Sequence, residues 1–432
     1  GPGSFRRQNS SARRLPVSEQ TPRPSDDAPG VTRRTQRKNA GARSSEVAPL
    51  RTVEPRLSKE VAARRRSLRT GWTTGTCAAA AAKAATIALV SGELPAEVEV
   101  GLPNGQRVAF PVESDPDGRA VVIKDAGDDP DCTHGARITA AASWPSSDGP
   151  APVGAANPPA SAVLGRVRLL AGPGVGIVTK PGLGIPIGEP SVTAVPRRMI
   201  EAAVGEVTTD PVEITVSVPG GEEMAAETTN ARLGILGGIS LLGTTGIVRP
   251  FSTAAYRASV VQQIDVAAAQ GVRTMVLCTG HRSERLARRL YPDLDEVAFV
   301  EVGDFTGIAL RRAAANGMDA VAVVAMGGKV TKLAAGVMMT HFHRSAVDTE
   351  LLAEVARTTG AVGAVIDAAR ATATARHFVE TCAALGETAP LEELCRRARA
   401  ACLAHVGHRL AVTVVLADFE GAGVLAAALA EE

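Results

Sequence analysis

The sequence predicts two folded parts of different class, an α+β part followed by an α/β part with a parallel sheet, behind a long unfolded extension. Three observations predict this. Residues 1–67 are rich in Arg, Ser, Pro and Thr, with little apolar periodicity, so they cannot bury enough surface to offset their ordering entropy. Residues 68–251 hold short apolar runs separated by Gly, Pro and Asn, the pattern of a β-rich unit. Residues 252–404 alternate helical and buried-strand patterns, which argues for βαβ units. A last strand in 405–432, LAVTVVLADFEG, is expected to return to the first part, making the α/β part an insertion.

Charge follows the same division. Residues 1–70 carry 17 Lys+Arg against 6 Asp+Glu, and the remainder carries 30 against 39. The folded part is therefore acidic, and the basic extension reads as a solvated tail with one short helix expected near Ser58–Arg66. Its Gly-Pro-Gly-Ser start reads as a protease-cleavage scar. Aromatic residues are only 3% of the chain, too few for stacking on nucleic-acid bases, and no nucleic-acid partner is expected. The six cysteines are scattered without a CxxC pair, as in a reduced, cytoplasmic protein. No apolar run is long and uncharged enough to suggest a membrane partner.

Along the first part, TGWTTGTCAAAAAKAATIALVSG reads as a Gly/Thr loop, a buried helix with Thr74 or Thr76 as N-cap, and a stop at Gly92. Asn104-Gly105 between two apolar runs signals a hairpin. RAVVIKD, ARITAAAS, RVRLLAG and VEITVSV are further strands, with a Pro/Ser/Ala/Gly loop at 145–162. In the second part, SVVQQIDVAAAQG, SERLARRL, FTGIALRRAAANG and KVTKLAAGVMMTH read as helices; RTMVLCTG, VAFVEVG and AVAVVAMGG read as strands.

Four glycine-rich segments are candidate ligand loops. The loop before the first helix offers Thr74 and Thr76 beside a helix N-terminus, a seat for a carboxylate or phosphate. The segment 172–200 adds Lys180, Arg197 and Arg198, cations suited to a polyanion. The segment 228–252 contains Thr244 and Thr245 between glycines, with Asn230 and Arg232 as polar contacts, and lacks the Walker spacing. In the fourth, Gly327 and Gly328 precede Lys329 and Lys332, which oppose the preference of a helix start for acids unless an anion is present. His341 and His343, two apart, do not share a helix face, and no metal site is read from them. In the α/β part, Gly280 follows one strand and Glu301 ends the next, with Gly303 after it. An acid there suits the ribose hydroxyls of a nucleotide-like cofactor. Asp125 and His134, in the acidic turn KDAGDDPDCTHG, are candidates for moving a proton.

The segments TGWTTGTCAAAAAKAA, VVIKDAGDDPDCTHGA, NARLGILGGISLLGTTGIVRPFS, GGKVTKLAAGVMMTH and the 172–200 loop together resemble the CbiD family over about residues 68–345. The resemblance implies methyl transfer from S-adenosylmethionine to ring carbon C1 of the corrinoid cobalt-precorrin-5B, with the cobalt arriving on the substrate. It also implies an α+β domain like ribosomal protein S5 domain 2, interrupted by a Rossmann-like domain. GHRSER after Cys278 departs from the family's usual second glycine, and Phe342-His343 replaces its Ser-Lys. The rival readings are a non-catalytic tetrapyrrole carrier and a phosphoryl-transfer enzyme using GGISLLGTTG. A homo-oligomer is left open.

Overall fold

The computed structural model describes Ala63 and residues 67–145, 160–340, 347–372 and 374–430. The expected helix near Ser58–Arg66 (helical Ala63 apart), most of the 145–162 loop, and His341 and His343 lie outside the described residues.

The first core is built around helix α1, Thr74–Ser91. Its alanines combine the best helix propensity with the smallest side chain, so neighbouring elements approach it closely. The N-cap is Thr73 and not the expected Thr74 or Thr76: the extended residue is Thr73, and its Oγ1 accepts from the Thr76 N–H at 3.2 Å. Gly92, at φ +83°, closes the helix by donating its N–H to Ala88 O. By length and composition α1 passes for a membrane span, yet residues Thr74 to Ala82 are all buried in protein. Next come the hairpin β1 (Glu97–Gly101) and β2 (Arg107–Pro111), then β3 (Glu113–Ser114), β4 (Ala120–Ile123), β5 (Arg137–Ser143), β6 (Ser161–Leu164) and β7 (Val167–Ala171). Helix α2 (Ala194–Gly205) packs on α1, strand β8 (Val212–Ser217) follows, and a short helix α3 (Gly221–Ala226) ends this stretch. The six-stranded sheet has the order β3-β4-β5-β8-β7-β6, with β8 antiparallel to β5 and parallel to β7.

The second core alternates. Helix α4 (Thr253–Ala269) leads to β9 (Thr274–Cys278), α5 (His281–Leu290), β10 (Phe299–Glu301), α6 (Thr306–Ala315), β11 (Ala320–Met326) and α7 (Gly327–Ala334). Helices α8 (Thr349–Thr358), α9 (Gly363–Ala371), α10 (Ala375–Ala384) and α11 (Ala389–His405) precede β12 (Ala411–Ala417) and β13 (Val424–Ala428). The sheet order is β10-β9-β11-β12-β13, parallel except for the edge strand β13. Alternate residues feed opposite faces: Met275 and Leu277 enter one apolar cluster, Val276 and Cys278 another. The fold is thus mixed, an α+β core followed by an α/β core.

Two further expectations are corrected. The C-terminal strand does not return to the first sheet. β12 pairs with β11 along seven residues, Ala320↔Ala411 to Met326↔Ala417, and carries β13 on its far side. Its run AVTVVLA, apolar on nearly every residue, suits a strand covered on both faces by helices better than a half-solvated antiparallel one. The helix expected through His341 stops at Ala334, because Gly336 turns the chain at φ +75°.

Candidate functional site

A cavity of about 760 Å³ opens at the carboxyl edge of the second sheet. The register pairs Cys278 with Glu301, so the turn after β9 and the acid ending β10 lie side by side. That turn is fixed by Gly280 and Ser283: Gly280 N–H donates to Ser283 Oγ at 3.0 Å, and Ser283 Oγ–H donates to Gly280 O at 2.7 Å. Helix α5 presents His281, Glu284, Arg285 and Arg288 to the cavity.

The opposite wall comes from the segment 226–232. Arg232 Nη2 donates to Glu284 Oε1 at 2.7 Å, and its Nη1 donates to Phe299 O at 3.0 Å. Arg288 Nε also donates to Glu284 Oε1, at 3.0 Å. Glu284 is thus a nearly buried carboxylate held by two guanidiniums. Glu301 is half-buried and, among the described residues, in no ion pair. Burial, then the charge of Glu284, pushes its carboxyl up; His281, Arg232 and Lys329 pull the other way.

Helix α4 supplies Tyr256, Ser259 and Gln263. Tyr256 O–H donates to Glu301 O at 3.2 Å, and its ring stacks on Phe305 at 5.7 Å. Gly303, at φ +52°, leaves room for that ring: a Cβ there would sit 3.0 Å from the Tyr256 hydroxyl. Gln263 is 5% exposed, and among the described residues its Oε1 has no hydrogen-bond partner. Its Nε2 has only long contacts, 3.4 Å to Ser259 O and Oγ. Gln263 thus brings a buried acceptor without a donor to the cavity wall.

A second cavity, about 130 Å³, shares Thr228 with the first. Thr73 and Thr74 at the start of α1, the buried Lys124, Asp131 and Asn230 surround it.

The other residues read from the sequence fall elsewhere. Asp125 lies outside both cavities; it pairs with Arg69, accepts from Gly127 N–H at 2.9 Å, and stands 3.7 Å from His134 Nδ1. Thr76 Oγ1 donates to Gly246 O at 2.8 Å, inside the core. Lys180, Arg198, Thr244 and Thr245 are exposed and line neither cavity. Arg197 ties its own loop, to Val192 O at 2.7 Å and Glu189 at 2.7 Å. Gly327 and Gly328 start α7 at the same sheet edge as Gly280 without lining either cavity. Lys329 Nζ is occupied by Gly303 O at 2.7 Å, Thr279 O at 3.1 Å and Asp304 at 3.0 Å, and so knits the strand ends together. Lys332 donates to Thr340 O at 3.1 Å, and burial pulls its ammonium pKa down. The segment 237–246 leads into a strand at Ile247–Val248, so no helix N-terminus stands behind it as a phosphate loop requires.

Reading the sequence residue by residue passes over Tyr256, Ser259 and Gln263 and over His281, Glu284 and Arg288. Each triplet has i, i+3, i+7 spacing, so three polar side chains on one face of each helix were the available signal.

A roomy, polar-lined cavity at the carboxyl ends of a parallel sheet, lined on its other side by residues 226–232, has the geometry of a ligand-binding α/β protein. The family model for CbiD matches residues 61–250, and that for the CbiD C-terminal domain matches residues 339–428. A Salinispora arenicola protein named cobalt-precorrin-5B C(1)-methyltransferase is 53% identical, over 88% of this chain and 97% of its own. Proteins of the same name from Rubrobacter xylanophilus (52%, over 85% and 93%) and Thermus thermophilus (47%, over 83% and 94%) are also similar. The chain belongs to the CbiD family. A solved cobalamin biosynthesis protein (cbiD) from Archaeoglobus fulgidus is 28% identical, covering 68% of this chain and 85% of its own, with a TM-score of 0.34.

Proposed function

We propose that this chain is a cobalt-precorrin-5B C1-methyltransferase, with S-adenosylmethionine as donor in the 760 Å³ cavity. The family carries the reaction; the observation that carries the placement is the pairing of Glu301 with the turn at Gly280, joined by the unpartnered Gln263 Oε1. The cavity residues fit such a donor. Glu301 offers a carboxylate to a ribose diol, Gln263 Oε1 needs a donor group, and Glu284 and Glu301 set a negative field suited to a sulfonium. The second core is read as Rossmann-like, with the division near residue 251 as a domain boundary, and the first as S5-domain-2-like.

When bound, S-adenosylmethionine supplies an electrophilic methyl group on a positively charged sulfur. The chain's part is to hold the acceptor carbon in line and to keep water out, which supplies several kcal/mol. Arg232 and Arg288 hold the Glu284 carboxylate in place at the cavity wall. Tyr256 fixes the backbone of Glu301 and so the direction of its carboxylate. Arg285 at the cavity wall is the cation available to an anionic end of either ligand. Neither Asp125 nor His134 lines the cavities.

The test is calorimetric titration of the full chain with S-adenosylhomocysteine, with and without the corrinoid, in wild type and Glu301→Ala. Tenfold or greater weakening, about 1.4 kcal/mol, is expected in the variant. Unchanged affinity would remove Glu301 from the donor site. No binding by the wild type under either condition would overturn the donor reading.

A further inference from the structure

The smaller cavity has a receptor of its own. Lys124 closes β4, and its side chain is 1% exposed. Among the described residues its one partner is Asp131 Oδ2, at 2.6 Å. A lysine ammonium has three N–H donors, so two remain to be met in a place without bulk water. Asp131 is fully used from the other side: Oδ1 accepts from Thr133 N–H at 2.8 Å and from Thr133 Oγ1 at 2.6 Å. Burial pushes the Asp131 carboxyl up, but the hydrogen bonds from Lys124 and Thr133 and the Lys124 charge outweigh it and lower its pKa from the ordinary value.

A second source of positive potential meets the same space. Thr73 and Thr74, the cap and first residue of the 18-residue helix α1, line it. The N-terminal end of a long helix favours an anion. The remaining polar walls are committed: Thr74 Oγ1 donates to Ser240 O at 3.1 Å and accepts from Leu242 N–H at 2.9 Å, and Asn230 Nδ2 donates to Gly238 O at 3.1 Å. At the helix start the N–H groups of Thr73, Gly75 and Thr76 already donate to Gly246 O, Leu242 O and Thr73 Oγ1, so what stays open is two ammonium donors in the field of the helix end, beside the apolar faces of Ile239, Leu242 and Val248.

Size selects the occupant. At roughly 30 Å³ for each water-sized group, 130 Å³ holds about four heavy atoms. That is a –CH2–COO⁻ arm, and it excludes a macrocycle or a nucleoside. We infer that the cavity at Lys124 takes a single carboxylate arm of the corrinoid substrate, with the methylene against Ile239 and Val248 and the carboxylate on Lys124 and the start of α1. Because both cavities are lined by Thr228, an arm anchored in the smaller one constrains the face of the ring presented to the donor cavity. The inference rests on the methyltransferase reading and adds to it which surface orients the substrate. Lys124 is a binding residue in it.

The experiment compares wild type with Lys124→Met as full chains, by steady-state kinetics on cobalt-precorrin-5B and by titration with S-adenosylhomocysteine. Loss of a charge-assisted hydrogen bond is expected to raise KM for the corrinoid about tenfold or more, with little change in kcat and none in donor affinity. In the wild type, propionate should compete with the corrinoid while propionamide, equal in shape and uncharged, should not. A folded Lys124→Met enzyme with the wild-type KM overturns the inference. So does propionamide competing as well as propionate, or donor affinity falling alongside corrinoid affinity, which would give the pocket to the donor's own carboxylate. If Lys124→Met fails to fold, the propionate and propionamide arm decides. A wild type without turnover sinks the methyltransferase reading instead. The pocket is then judged on whether propionate, and not propionamide, raises the melting temperature.

Discussion

Gln263→Leu changes one amide into an apolar group of similar volume, and the structure gives its two effects opposite signs. In the ligand-free protein Oε1 is buried without a donor, which costs about 1–3 kcal/mol. The amide recovers little of this, since both Nε2 contacts are 3.4 Å long. Leucine removes the unmet acceptor and adds apolar burial at a position only 5% exposed. Net stabilisation of about 1 kcal/mol follows, a rise of about 2 °C in melting temperature for a protein of this size. The same change deletes the acceptor that a donor group of S-adenosylmethionine would use, for a loss of about 1 kcal/mol, or about fivefold in affinity. Thermal melts without ligand and calorimetry with S-adenosylhomocysteine read the two effects separately. A variant that melts lower than wild type, or one that binds S-adenosylhomocysteine as tightly, refutes the assignment of Gln263 as a ligand-facing acceptor.

Two other predictions concern stability. Hydrogen bonds from Arg107, opposed by burial and reinforced by Lys83, lower the Glu206 carboxyl from 4.5 to about 2. A depressed folded-state pKa contributes stability above the unfolded value that is lost as pH falls from about 4.5 to about 2. Glu206→Gln should flatten the acid-unfolding curve in that window, and salt should shrink the difference because the cluster is partly exposed. Gly174 has φ +78°, and a Cβ there would sit 1.9 Å from Val218 O. Gly174→Ala should therefore cost about 2–5 kcal/mol in urea unfolding, and wild-type stability would contradict the described turn.

Local features were legible in the sequence where local chemistry decides them. The Asn104-Gly105 turn, the alanine helix stopped by Gly92, and Glu301 at a strand end are each specified by neighbours within a few residues. The destinations of charged side chains were not. Lys329 has the credentials of an anion binder at a helix start, yet its three donors meet Thr279, Gly303 and Asp304, residues 25 to 50 positions away. Lys124 carries no mark in the sequence apart from ending an apolar run; its burial depends on the turn at 125–135 folding back over it. Arg232 was visible as a polar residue in a glycine segment, but its partner Glu284 lies on an element whose placement only the tertiary fold supplies. Strand β12 was misplaced because pattern reveals that a strand is buried, without saying between which neighbours.

The position of β12 sets a timetable for synthesis. The first core draws on residues 77–241 alone and is complete in the chain soon after. The second sheet exposes one edge of β11 until Ala411–Ala417 arrives, some 85 residues later. At about 5–20 residues per second that edge waits roughly 4–17 s, with helices α8 to α11 emerging in between. A nascent chain stalled in that interval would present a bare, apolar parallel strand, and slow codons there would put the ribosome-bound protein at its greatest need of a chaperone.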